Sequence, residues 1–279
     1  MKRLIDAALK EDIGAGDLTS LYFVPEEKKT TGFIVARENG VLSGGEVAEE
    51  VFKQVDSSLD VEMLVSDGDR ISEGAYVMKI SGSARSILTA ERTALNFMQR
   101  MSGVAKKTRK FVDAIKGTST QILDTRKTIP GWRYLDKLAV THGGGTNHRM
   151  GLYDRVMVKD NHLVAEGRLD ELQEAIRKLK AEHPGVEVEL EADNLTQVGE
   201  FLELQGVDYL LLDNMGPALL REAVEMRGER QNPRLEASGG VTLKTVGAIA
   251  ETGVNFISVG AITHSVKAMD LALDFMKGE

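Results

Sequence analysis

The 279-residue chain contains no cysteine, which excludes disulfides, thiolate metal sites and thiol nucleophiles. It also lacks any apolar run near the roughly 20 residues that span a bilayer, so no membrane segment is expected. Positive charge is in deficit: 35 Lys and Arg against 43 Asp and Glu leave a formal net charge of −8. That balance argues against a general nucleic-acid binder, whose affinity comes from neutralising phosphates with Lys and Arg. Any anion site must therefore be local. The opening MKRLIDAALKEDIG has two basic residues, but Asp6, Glu11 and Asp12 interrupt its apolar stretch too soon for a signal peptide, so a cytoplasmic protein is expected. What remains is a soluble globular composition, 42% hydrophobic and 28% charged, long enough for one large domain or two modest ones.

The two parts of the chain have different rhythms. Leu4, Ile5, Ala8 and Leu9 predict a short amphipathic helix, and strand-like runs follow at TGFIVA, VEMLV and AYVMKI, separated by Gly and Asp turns. A long helical pattern covers about Leu88 to Ile115. After residue 118 apolar strands alternate with helices. The strands are QILDT (121–125), DRVMV (154–158), VEVEL (186–190), DYLLLD (208–213), LEASG (235–239) and NFISVG (255–260). This alternation implies parallel βα units, in a doubly wound sheet or a barrel. No GxGxxG opens a helix after the first strand, which weighs against dinucleotide binding. The domains are thus expected at 1–117 and 118–264, with VKAMDLALDFM making a C-terminal helix over 265–279 that packs back on the first.

In a parallel barrel the chemistry belongs at the C-terminal strand ends, where the loops converge. Cations cluster at the early ends, with Arg126 and Lys127, then Lys159 within KDNH, and Arg133, Lys137, Arg149 and Arg155 nearby. These charges sit beside strand-like segments and a glycine run, so they are read as an anion site and not as one face of a polar helix. Carboxylates come later, at Glu191 and Asp213, hard oxygen ligands suited to Mg²⁺ held together with a diphosphate. Glu187, Glu189 and Glu191 share one strand face, so inside a barrel they need cations or a metal. Ser238-Gly239-Gly240, ahead of a helix expected near Thr242, and Gly260 let backbone N–H groups approach a phosphate. In GGGTNHR (143–149) the glycines are read as a turn that leaves room for substrate and aims His148 and Arg149 at carboxylates.

Several motifs, in order, resemble quinolinate phosphoribosyltransferases: ERTALNFMQRMSG (91–103), DTRKTIPGWR (124–133), GGGTNHRMGLYD (143–154), KDNH (159–162), LLLDNM (210–215), EASGGVTL (236–243) and SVGAITHS (258–265). The opening LKEDIGAGDLTS (9–20) is similar too. The resemblance implies an N-terminal α/β sandwich beside an incomplete parallel α/β barrel. It implies transfer of phosphoribose from phosphoribosyl diphosphate to quinolinate, with Mg²⁺ and loss of CO₂, in NAD biosynthesis. It also implies a homodimer, or a higher homo-oligomer, with active sites shared between subunits. By motif position Arg92 would reach the partner's quinolinate, while Arg126, Lys127, His148 and Arg149 meet its carboxylates. Lys127 and Lys159 would lie toward the diphosphate, Glu191 and Asp213 toward ribose and Mg²⁺, and Ser238, Gly239, Gly240 and Gly260 at the 5′-phosphate. Trp132 replaces a usually aliphatic residue, and His142 occupies a variable position.

Three alternatives are weighed. A molybdenum-associated relative shares the fold, but its NHR and KDNH motifs are altered, whereas both are intact here. A Schiff-base barrel aldolase would use Lys127 or Lys159. VMKI (77–80) offers Lys79 as the attachment site of a biotin- or lipoyl-carrier hairpin.

Overall fold

The computed structural model describes residues 1–159 and 169–275. The chain divides into two compact units, one of 1–109, 128–144 and 265–279, the other of 110–127 and 145–264.

The first unit begins with α1 (Lys2–Ile13) and α2 (Leu18–Phe23), the latter capped by Asp17, whose carboxylate accepts the Ser20 N–H at 3.0 Å. Strands β1 (Lys29–Ala36), β2 (Gly40–Val41), β3 (Asp60–Met63), β4 (Arg70–Ile71) and β5 (Tyr76–Ser83) surround α3 (Gly45–Val55), and α4 (Ala84–Ala114) follows. β1 and β3 flank β5 antiparallel, while β2 and β4 pair separately. The core is aliphatic and aromatic: Ile34 of β1, Val77 and Ile80 of β5, Val51 and Phe52 of α3 and Ile87 of α4 are all fully buried.

The C-terminal segment departs from the expected helix. Leu271–Phe275 is a strand, antiparallel to β1 with Ala36 opposite Leu271 and Gly32 opposite Phe275. Its apolar residues at 269, 271, 273 and 275 fit a period of two, while those at 266, 269, 273 and 276 fit a helical stripe. The open edge of β1 supplies the hydrogen-bond partners that decide between them. A β-carbon on Gly32 would lie 3.1 Å from Leu273 Cδ1, so glycine makes space for this strand's side chains.

The domain boundary also differs from 117/118, because residues 128–144 join the first unit. They contain α5 (Arg133–His142), so Arg133 and Lys137 lie on a helix and not beside strands. α5 buries Leu135, Ala139 and Val140. Trp132 stacks on Phe97 with ring centroids 4.9 Å apart, and buried Asp136 pairs with Arg100 at 3.2 Å. Gly143 ends this excursion. A β-carbon there would lie 2.6 Å from the Ala105 carbonyl. The room that the glycine run provides is thus taken by α4.

The second unit is a six-stranded, all-parallel sheet, in the order β6 (Gln121–Leu123), β11 (Phe256–Ser258), β10 (Arg234–Ser238), β9 (Tyr209–Asp213), β8 (Glu187–Ala192), β7 (Arg155–Val158). Among the described residues β6 and β7 do not pair, and β6 bridges instead to Thr146. The barrel is therefore incomplete. Helices α6 (Leu169–Glu182), α7 (Leu195–Leu202), α8 (Pro217–Arg227) and α9 (Val246–Ala250) connect successive strands, and α10 (Ala261–His264) follows β11. Pro217 sits at the first turn of α8, where its fixed φ suits a helix start and its missing N–H costs nothing. α9 begins four residues later than expected. Thr242 to Thr245 form a turn, held by Thr245 Oγ1 accepting the Thr242 N–H at 3.0 Å. No helix among the described residues is long and apolar enough to cross a membrane.

Candidate active site

A cavity of about 210 Å³ opens at the C-terminal ends of the parallel strands. Each of the six strands or the segment after it contributes a side chain: Lys127 after β6, Lys159 after β7, Glu191 of β8, Asp213 of β9, Ser238 of β10 and Ser258 of β11. Arg126, His148 and Arg149 also line it. Eight of the expected residues are thus brought together from distant parts of the chain. Gly239, Gly240 and Gly260 do not line the cavity, and Arg92 lies exposed on α4 of the first unit, 3.9 Å from Glu91. The Asp160-Asn161-His162 part of KDNH lies outside the described residues.

The strand register explains the ionic pattern. Arg155 stands opposite Glu187 and Met157 opposite Glu189 on β7 and β8. Each carboxylate of that strand face meets a cation: Glu187 takes Arg155 at 2.8 Å, Glu189 lies 3.7 Å from the same guanidinium, and Glu191 pairs with Lys159. The carboxylates therefore have cationic partners inside the barrel. With Glu191 at its Nζ, Lys159 is not the desolvated, uncompensated amine that a Schiff base requires.

Two guanidiniums approach each other at the mouth. Arg149 Nη1 donates to the Arg155 carbonyl at 2.9 Å, and Nη2 contacts Met157 Sδ at 3.7 Å. Burial and the nearby charge of Arg126 hold the Arg149 guanidinium below the ordinary arginine range. A site that keeps two such cations together favours a ligand with more than one negative charge.

His148 is held from three sides. Its backbone N–H donates to buried Asp124 at 2.8 Å, and its Nδ1 accepts the Arg149 N–H at 2.7 Å. Nε2 lies 3.2 Å from Glu189 and 3.3 Å from Glu236, both fully buried. Glu236 also accepts the Ser258 hydroxyl at 2.5 Å. Burial lowers the imidazole pKa, but hydrogen bonds and charge from Glu189 and Glu236 outweigh it and raise it to about 9. Burial, and then the charge of Glu236, raise the Glu189 carboxyl. Glu236 moves down, because His148 and Ser258 outweigh its burial. The three groups titrate together, so the raised value belongs to the cluster: because Nδ1 accepts an amide, its protons lie on the Nε2 side, between the ring and the two carboxylates.

These three residues have the identities and spacing of a metal site. The ring's tautomer argues otherwise. A metal on Nε2 leaves a proton on Nδ1 to donate outward, whereas here Nδ1 accepts an amide. Glu189 and Glu236 are the site residues that sequence reasoning left without a role, as it did Ser258. The paired-face pattern of VEVELE pointed to the first. Glu236 stands among the polar residues at the end of its strand, and nothing local pointed to Ser258.

The late strand ends have their own geometry. Gly239 has φ +97°, and a β-carbon there would fall 2.1 Å from Asn214 Oδ1. The Asn214 N–H donates to the Ser238 carbonyl at 2.9 Å, so the β9 and β10 ends are cinched together. At Gly260 a β-carbon would sit 3.1 Å from Lys127 Cδ. Glycine there lets the lysine stem pass, and the Lys127 carbonyl accepts the Thr263 hydroxyl at 2.8 Å. Lys79 lies mid-strand on β5, between Phe33 and Glu62, and not at the hairpin tip a carrier attachment needs.

Comparison with known proteins agrees along the whole chain. The sequence matches the family models of quinolinate phosphoribosyl transferase, the N-terminal domain over residues 17–102 and the C-terminal domain over 104–274. It is 43% identical to the chloroplastic nicotinate-nucleotide pyrophosphorylase [carboxylating] of Arabidopsis thaliana, over 98% of this chain and 82% of the relative. The solved nicotinate-nucleotide pyrophosphorylase of Francisella tularensis is 40% identical with TM-score 0.90, covering 98% of this chain and 95% of that one. The one from Ehrlichia chaffeensis is 38% identical with TM-score 0.90, over 99% and 98%.

Proposed function

The chain belongs to the quinolinate phosphoribosyltransferase family, and we infer that its barrel mouth transfers phosphoribose from phosphoribosyl diphosphate to quinolinate in NAD biosynthesis. The products are nicotinate mononucleotide, diphosphate and CO₂. The observation that carries this reading is the charge layout of one cavity, with Arg126 and Arg149 on one side and Glu191 and Asp213 on strands β8 and β9. The first pair suits a dicarboxylate, and the second suits the positive charge that develops at ribose C1.

In the reaction the bond from C1 to diphosphate breaks with its electron pair leaving on oxygen, while the ring nitrogen's lone pair forms the new bond to C1. Arg126 and Arg149 hold the carboxylates so that this nitrogen faces C1, with His148 behind them. Lys127 and Lys159 neutralise the departing diphosphate. The ring nitrogen, now cationic, stabilises the electron pair left on the adjacent ring carbon when its carboxylate leaves as CO₂, and that pair takes up a proton to form the new C–H bond. Ser238, with the Gly239, Gly240 and Gly260 backbone, is assigned to the 5′-phosphate.

The donor set also fits Mg²⁺. Glu191 and Asp213 are oxygen donors on adjacent strands facing the same space, the ligand type this ion requires. Mg²⁺ there would neutralise charge on the diphosphate.

The same reading makes the enzyme a homodimer in which Arg92 serves the partner's quinolinate. Exposed Tyr22 and Phe23 on α2, 80% and 83% accessible, support an interface on this unit. Mixing inactive Arg92→Ala and Arg149→Ala subunits should restore about a quarter of wild-type activity, since half the dimers then carry one intact shared site. No recovery after subunit exchange would sink the shared site. The test of the reaction itself is purified protein with quinolinate, phosphoribosyl diphosphate and Mg²⁺, followed by nicotinate mononucleotide formation. Absence of product where the Francisella enzyme turns over would overturn the assignment.

A further inference from the structure

Of two fully buried carboxylates, Glu189 lies behind the cavity lining and Glu236 is part of it, beside His148. Fully buried carboxylates are costly unless well partnered, so a barrel that keeps two of them at one imidazole needs a reason. Their contacts form a closed circuit. The Arg149 amide donates to His148 Nδ1 at 2.7 Å, and His148 Nε2 faces Glu189 at 3.2 Å and Glu236 at 3.3 Å. Glu189 lies 3.7 Å from the Arg155 guanidinium, and the Arg155 carbonyl accepts Arg149 Nη1 at 2.9 Å. Arg149 is therefore gripped twice, at its backbone through His148 and at its guanidinium through Arg155.

The first grip rests on β8, β10 and β11 and the second on β8 and β9, so β8 is common to both. Glu236 is set by the Ser258 hydroxyl at 2.5 Å. Arg155 is set by Glu187 at 2.8 Å and by the Tyr209 ring, 4.0 Å below its guanidinium. Because Nδ1 accepts the amide, the ring proton sits on Nε2, and only carboxylates on that side favour this tautomer. A ring flipped to the other tautomer would turn a donor toward the Arg149 N–H and push that backbone away.

We propose that Glu189 and Glu236 are positioning residues for the dicarboxylate subsite: acting through His148, they fix the placement of Arg149. This rests on the assignment of Arg149 to the quinolinate carboxylates. The pair sets where a planar bidentate donor stands, and leaves the phosphoribosyl half of the site untouched.

The test is steady-state kinetics of Glu189→Gln and Glu236→Gln beside Arg149→Ala. The expected result is a rise in KM for quinolinate on the order of tenfold or more in each glutamine variant, as for loss of an outer partner of a binding residue. KM for phosphoribosyl diphosphate should stay within about threefold of wild type in the same variants. In the Arg149→Ala background, Glu189→Gln should add little, because its effect passes through the residue already removed. Equal rises for both substrates, or full additivity with Arg149→Ala, would overturn the positioning role. If instead Arg149→Ala leaves quinolinate KM unchanged, the dicarboxylate assignment itself fails. Should the glutamine variants not fold, two measurements remain. Ser258→Ala should raise quinolinate KM in the same direction by a smaller factor, and no change would count against the proposal. ¹⁵N-histidine NMR of the wild-type protein should give His148 as the Nε2–H tautomer with Nδ1 accepting. An Nδ1–H ring would overturn it.

Discussion

The two sheets of this protein bury different things. The antiparallel sheet of the first unit covers an interior of Ile34, Val77, Ile80 and Phe52, and its strand charges, such as Lys79 and Glu62, stay at least a third exposed. The parallel sheet buries Glu189 and Glu236 completely and Glu191 almost so, each with a cation or a hydrogen-bond donor at hand. An interior built only for stability has no use for ionised groups, since apolar packing of the same volume does as well or better. Where a strand face carries carboxylates inward and the next strand answers with Arg155 and Lys159, the arrangement serves binding.

That contrast can be broken from either side. The largest effect is expected in the barrel. Arg149→Ala should lower kcat/KM for quinolinate by about a thousandfold, the scale of losing a charged donor aimed at a substrate anion. Thermal melting should barely move, and lysine at 149 should not restore the loss because it cannot bind bidentately. In the first unit the opposite pattern is expected. Phe52→Ala should cost about 3–5 kcal/mol of stability by leaving a cavity, read by urea unfolding, while the protein that remains folded keeps its KM values. Loss of quinolinate affinity without loss of stability in Phe52→Ala would erase the distinction.

Acid and base should separate the units in smaller steps. The His148, Glu189 and Glu236 cluster, its proton affinity raised to about 9 in the fold, contributes stability that is complete below the ordinary imidazole value of 6.5 and is lost as pH rises through about 9. Wild type should therefore lose stability relative to His148→Asn across that alkaline window, and parallel curves there would contradict the cluster. Asp17 behaves in the reverse sense. Hydrogen bonds from Ser20 lower its pKa below the usual 3.8, so its contribution is complete above that value and disappears as pH falls through the lowered one. Asp17→Ala should cost about 1 kcal/mol near neutrality, the usual worth of a helix N-cap, and nothing in strong acid.

Much of this was legible in the chain. All six barrel strands fall within two residues of the expected segments, because each is a short apolar run bounded by turn residues. The polar residues at their ends converge as a parallel barrel requires, which brought Arg126, Lys127, Lys159, Glu191, Asp213 and Ser238 into one cavity. What misled was local ambiguity. RYLDKLAVTH sits among strand-like segments, and only its apolar face against the first unit makes it a helix there. Gly143 reads as a flexible turn until Ala105 is seen to lie where its side chain would be.

By itself the sequence determined the order of strands and helices and the residue types at the strand ends. These follow from hydrophobic period and turn chemistry within a few positions of each residue. The tertiary structure decided that the last segment is a strand, since the free edge of β1 chose between two permitted patterns. It also decided that His148 turns inward to Glu189 and Glu236. A side chain's burial and partners depend on neighbours brought from other strands, and no local pattern carries that information.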